Sequence, residues 1–157
     1  MSALTEQPMT TTTTTTLDPA SVNVRVKIAA LWTAMMFVFA YVDLFSLYRA
    51  DVRADLEAGH MSVFSIGQGF LLGITTYITV ASLMVFLSLA LPARAARWTN
   101  LVLAVAYVLT IGGGAVGESH YYYLLGSAVE VLLLLAVVGY AWTWPKSMDP
   151  QPAGPNH

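Results

Sequence analysis

The sequence predicts an all-α integral membrane protein, a four-helix bundle with both termini in the cytoplasm. Hydrophobic residues make up 57% of the chain and charged residues only 10%, against about a quarter charged in soluble domains. Four apolar runs of membrane-crossing length follow one another, separated by polar or proline-bearing connections. A chain of 157 residues has too much surface for its volume to hide so much apolar area from water. The lipid bilayer is therefore the expected solvent and the first expected partner.

Residues 1–24 are polar, with consecutive threonines from Thr10 to Thr16 between Pro8 and Pro19. Such a segment buries too little apolar area to offset its ordering entropy, and it is expected to be a disordered tail. Basic residues reach the apolar run only at Arg25 and Lys27, and no small-residue cleavage site follows, so a signal peptide is not expected.

The transmembrane domain is expected over 25–146. Its first span, about 26–48, would cover about 35 Å as a helix, enough for a hydrocarbon core of about 30 Å with some tilt. A polar connection from Arg49 to Phe64 carries Asp51, Arg53, Asp55 and Glu57. Arg49 to Ala58 could form one or two helical turns along the interface, weakened by like charges four residues apart. The second span, about 66–91, ends at Pro92, which removes a donor and disfavours helix in the residue before it. Ala93 to Arg97 reads as a short basic turn, and Trp98 opens the third span, about 98–116, which is short if Gly112-Gly113-Gly114 break it after Ile111 and adequate if it runs to Val116. The fourth, about 121–144, has Tyr121, Tyr122 and Tyr123 at one end and Trp142 and Trp144 at the other, as aromatic belts require. Residues 147–157 form a polar, proline-rich tail.

Arg25, Lys27, Arg94, Arg97 and Lys146 fall on one side of the spans, and only Arg49 and Arg53 on the other. The positive-inside rule then puts both termini in the cytoplasm. The excess of Arg over Lys, with abundant Ala and Val, fits a bacterial multi-pass protein of the plasma membrane.

Composition also excludes functions. A net charge of −2 gives no basic footprint for nucleic acid. Without cysteine there are no disulfides, thiolate metal sites, iron–sulfur clusters or thiol redox chemistry. No span contains a histidine, which removes transmembrane bis-His haem. Phosphate loops, Gly-x-Ser-x-Gly and His-Glu-x-x-His are absent. His60 and His120, near Glu57 and Glu118, read as solvated loop residues rather than a metal site. No cofactor and no metal are expected, and an enzyme is disfavoured.

Two carboxylates lie inside apolar runs, where an acid costs roughly 2.5–3.5 kcal/mol near the helix centre on insertion scales. Asp43, within Tyr41-Val42-Asp43-Leu44-Phe45-Ser46-Leu47-Tyr48, sits about 9 Å outward of its span's centre, and Glu130 about 4 Å outward of its own. Opposite chain directions bring both into the outer half of the bilayer. Gln68, Leu72, Thr75, Thr79 and Ser82 share one face of the second span and could satisfy them. Gly69-x-x-x-Gly73 on that span permits close helix contact, within the chain or between copies. Tyr123, Gly126, Ser127 and Glu130 share a face of the fourth span, and Tyr107 and Thr110 of the third could complete the cluster. Asp43, Glu130, Gln68, Thr75, Tyr107 and Ser127 are thus the candidate ligand- or proton-binding residues. The alternative is that the acids are hydrogen-bonded and fix helix register.

Several residues carry a resemblance: Lys27, Leu31-Trp32, the segment Tyr41 to Tyr48, Met84-Val85-Phe86-Leu87-Ser88-Leu89, Arg97-Trp98-x-Asn100, Glu130, and Ala141-Trp142-x-Trp144-Pro145. Together they make residues 23–146 resemble a family of uncharacterised four-pass bacterial membrane proteins, defined by a domain of unknown function. In architecture alone the chain is also similar to DoxX-type small membrane proteins. The resemblance implies a membrane location and no activity. The functions left open are a small transporter or accessory subunit with an intramembrane carboxylate site, a structural subunit of a homo-oligomer or larger membrane complex, and a lipid- or quinone-linked membrane enzyme.

Overall fold

In the computed structural model the described residues are 22–61 and 64–144. Most of the expected threonine-rich tail and all of the proline-rich tail lie outside them. Helix α1 (Val24–Ser46) starts after Asn23, whose Oδ1 accepts a hydrogen bond from the Arg25 backbone N–H at 2.9 Å. That satisfies one of the donors a helix start leaves free. A short helix, α2 (Ala50–Glu57), follows. Gly59, at φ 80°, then supplies the left-handed turn that only glycine adopts without strain. Strands β1 (His60–Met61) and β2 (Phe64–Ser65) pair antiparallel. This ribbon was not expected, because two-residue strands leave no period to read. Helix α3 (Gln68–Ala90) ends where Leu91 turns extended before Pro92. Helices α4 (Ala93–Ala115) and α5 (Tyr121–Trp142) complete the chain.

Two expectations about α4 are corrected. The basic turn Ala93 to Arg97 is the helix's first turn: Pro92 stands at its N-cap with φ −58°, and the Ala and Arg residues that follow are strong helix formers. Gly112 to Gly114 do not break the helix, which runs on to Ala115. The helix keeps its backbone hydrogen bonds internal there despite glycine's entropy cost, as a helix in apolar surroundings would.

The four long helices alternate in direction. Helix α1 packs against both α3 and α5, α4 packs mainly against α5, and α3 meets α4 only sparingly. One end of the molecule holds the start of α1 and the end of α5. Here Ile28, Trp32, Met35, Met84, Leu134 and Val137 are fully buried. Trp32 Nε1–H donates to Asn100 Oδ1 at 2.7 Å, Asn100 Nδ2 donates to the Ala96 carbonyl at 2.8 Å, and the Ser88 hydroxyl lies 3.0 Å from the same Oδ1. A buried network with every member paired locks α1, α3 and α4 together. Two guanidinium groups finish this end. Arg25 Nη1 donates to the carbonyls of Leu89 and Leu91, and Arg97 to those of Ala141 and Trp142. Cations at the C-terminal ends of α3 and α5 meet orphan carbonyls and the negative end of each helix dipole.

The outside of the helices is apolar. Phe37, Phe86, Leu109, Leu125 and Leu132 are each at least 62% exposed. All four long helices are long and apolar enough to cross a membrane, and a bilayer is the medium that suits such a surface.

Candidate functional site

At the opposite end, where α2 and the ribbon lie, the space between the helices is not filled. A cavity of about 810 Å3 is lined by Phe39, Val42 and Asp43 of α1, Tyr123, Ser127 and Glu130 of α5, Tyr77 and Phe70 of α3, Thr110 of α4 and Phe64 of β2, among others. Position 126 shows how α1 and α5 are brought together. An ideal Cβ there would lie 2.2 Å from Val42 Cγ2, so only glycine lets the two backbones approach as they do. Asp43 follows Val42 directly, and Glu130 lies one turn beyond Gly126.

Glu130 is 3% exposed, and among the described residues it has neither a hydrogen-bond nor an ion-pair partner. No fully buried side-chain oxygen or nitrogen is left unpaired among those residues, so the Glu130 oxygens reach cavity space. Asp43 is exposed and is likewise unpaired among the described residues. Among the described residues no Lys, Arg or His lines the cavity. The aromatic wall is held by its own bonds. The Tyr107 hydroxyl donates to the Tyr77 carbonyl, the Tyr77 and Thr110 hydroxyls are 2.7 Å apart, and the Tyr77 and Tyr107 ring centroids are 4.4 Å apart. Tyr107 therefore supports Tyr77 from behind and does not line the cavity itself.

Of the residues singled out from sequence, the fold brings Asp43, Ser127 and Glu130 to one space and places Tyr107 just behind it. Gln68 and Thr75 are elsewhere. Both are exposed, with Thr79 and Ser82, because α3 turns Phe70, Gly73, Ile74 and Tyr77 toward the cavity. The expectation that this stripe satisfies the carboxylates is corrected. Nor do Gly69 and Gly73 serve a close contact with another helix among the described residues, since nothing beyond their own helix backbone and chain neighbours lies within 4 Å of a Cβ built at either.

A second cavity, about 740 Å3, lies among the loops and shares Asp43 and Tyr123 with the first. Its wall includes Arg49, Asp51, Asp55, His60 and Glu118. Arg49 bridges the two loops, with Nη1 3.0 Å from Glu118 Oε2 and Nη2 2.6 Å from Asp51 Oδ2. Glu118 Oε1 accepts from the backbone N–H groups of Ser119 and His120 and lies 2.6 Å from His120 Nδ1. The His120 side chain first, and then its backbone N–H and Arg49, hold the Glu118 carboxyl down to about 2. Arg49 holds Asp51 down to about 2 as well. The Arg49–Glu118 pair is the more sheltered, at 18% and 19% side-chain exposure against 61% for Asp51. Screening weakens the outer pair.

Sequence reasoning missed two clusters. Asn100 is a polar residue inside an apolar run and could have been flagged. Its partners Trp32 and Ser88 lie on other helices, and no spacing links them. Arg49 and Glu118 lie in different loops, and their pairing depends on where those loops meet.

Fold and cavity define a class: an all-α protein with four membrane-capable helices around a space that holds carboxylates unpaired among the described residues. More particularly, the chain belongs to the family of unknown function DUF6326, whose model matches residues 21–149, and this bears out the resemblance to an uncharacterised family. Neither a curated protein nor a solved structure matches the chain.

Proposed function

We propose that the protein is a small multi-pass transporter of the plasma membrane, in which Asp43 and Glu130 take up and release protons or cations from the outer side. The carrying observation is Glu130: a carboxylate at 3% exposure, without a partner among the described residues, facing the same space as Asp43. Intramembrane acids mark ion pathways by default. The second cavity supplies a polar approach, because it shares Asp43 and Tyr123 with the first. With both termini cytoplasmic, that approach opens outward. The test is flux into proteoliposomes driven by a pH or cation gradient. Wild type should pass protons or cations, and Asp43→Asn with Glu130→Gln should abolish the flux. Equal flux in both defeats the reading.

A second reading, an interaction subunit, is favoured by the outward face of α3. Thr75, Thr79 and Ser82 are polar groups on one exposed face of that helix. Polar and small residues are what helix partners in a membrane use. Purification in mild detergent should then recover a stoichiometric partner or a stable dimer, and a monodisperse monomer counts against it.

A further inference from the structure

We infer that the ligand of the Asp43–Glu130 cavity is an aromatic or otherwise hydrophobic organic cation; this rests on the carboxylate-site reading above and names its substrate class. The charge inventory sets the sign. Among the described residues the wall carries two carboxylates and no basic side chain, so a cationic ligand is attracted by both and an anionic one is repelled by both. Glu130, at 3% exposure and without a protein partner among the described residues, is the group a bound cation would satisfy. An unpaired charge in such a site is costly until a counter-charge arrives.

The size and lining of the cavity select among cations. A bare calcium or magnesium ion needs about six to eight converging oxygen ligands. Among the described residues no group of three or more His, Asp or Glu side chains is placed to hold a metal. The space, about 810 Å3, is within the range of pockets that bury drug-sized organic molecules. Phe39, Phe64, Phe70, Tyr77 and Tyr123 contribute aromatic side chains to its wall. Aromatic faces attract organic cations through the ring quadrupole and also bury their apolar groups. A strongly hydrated inorganic ion gains little from such a wall.

The experiment is equilibrium binding to the full chain in nanodiscs of zwitterionic lipid, with tetraphenylphosphonium as the cationic probe. Tetraphenylborate, of the same shape and opposite charge, is the control, and empty nanodiscs set the partition background. Wild type should bind tetraphenylphosphonium saturably above background and tetraphenylborate not at all. Glu130→Gln should weaken binding at least tenfold. Phe70→Ala, which removes one ring and leaves both charges, should weaken it several-fold. Circular dichroism and a monodisperse elution profile check that each variant folds. Binding no greater than empty discs, or equal binding of the two probes, overturns the inference. So does equal affinity in folded Glu130→Gln. If binding fails while gradient-driven flux still depends on Asp43 and Glu130, the carboxylate reading stands and only the organic-cation assignment falls. If flux is also indifferent to the two carboxylates, both fall.

Discussion

Val42 fills the space that a side chain at residue 126 would need, its Cγ2 only 2.2 Å from an ideal Cβ there. The contact couples α1 to α5 one residue from Asp43 and one turn from Glu130, so the packing that joins the helices also juxtaposes the carboxylates. Gly126→Ala should therefore destabilise the protein by about 1–3 kcal/mol, the usual penalty of overpacking. Val42→Ala removes the clashing methyl, and the double variant should recover most of that loss. Unfolding in a denaturing-detergent titration measures the coupling. Additive effects would mean that the two side chains do not meet.

Asn100 is the hub of the network at the far end. Asn100→Leu leaves the buried Trp32 N–H, now 2.7 Å from Asn100 Oδ1, without an acceptor. The expected loss is about 1–3 kcal/mol. Ser88→Ala should cost less, since Asn100 Oδ1 keeps its bond from Trp32. Thermal denaturation of the two variants side by side checks the order, and a larger loss for Ser88→Ala would contradict it.

The loop bridge should respond to acid. His120 and Arg49 hold Glu118 down from the usual 4.5 to about 2. A carboxylate whose folded value is depressed stabilises the fold above its ordinary value, and that stabilisation is lost as pH falls through the folded value. Amide hydrogen exchange at Ser119 and His120, corrected for intrinsic rates, reads this directly, because both N–H groups donate to Glu118. Protection should be flat from neutral pH down to about 4.5 and fall between there and about 2. In Glu118→Gln it should be lower throughout and lack the fall. An unchanged profile in that variant would show that the carboxylate does not hold the loop.

The helices were legible because composition and length suffice to find four apolar runs. Their ends were less so. Pro92 marked the end of α3 correctly, but the three glycines of α4 obey surroundings that local propensity ignores. Of the site, Asp43 and Glu130 stood out because acids are rare in apolar runs, and helix rise placed them at similar depth. The stripe from Gln68 to Ser82 was misplaced. Its period was real, but polarity does not say which face of a membrane helix turns inward, and here Phe70, Ile74 and Tyr77 do. The sequence puts Gly126 on one face with Glu130, but the Val42 contact that requires glycine there involves a residue 84 positions away, which no local pattern reveals.

The central claim is that Asp43, Ser127 and Glu130 face a space reached from water rather than from lipid. The chain has no cysteine, so single introduced thiols report cleanly. In a bilayer, Ser127→Cys should react with a small water-soluble, membrane-impermeant thiol reagent added on the α2 side. Leu132→Cys, on the outward apolar surface at 65% exposure, should not. A silent Ser127→Cys, or equal labelling at the two positions, would contradict the account.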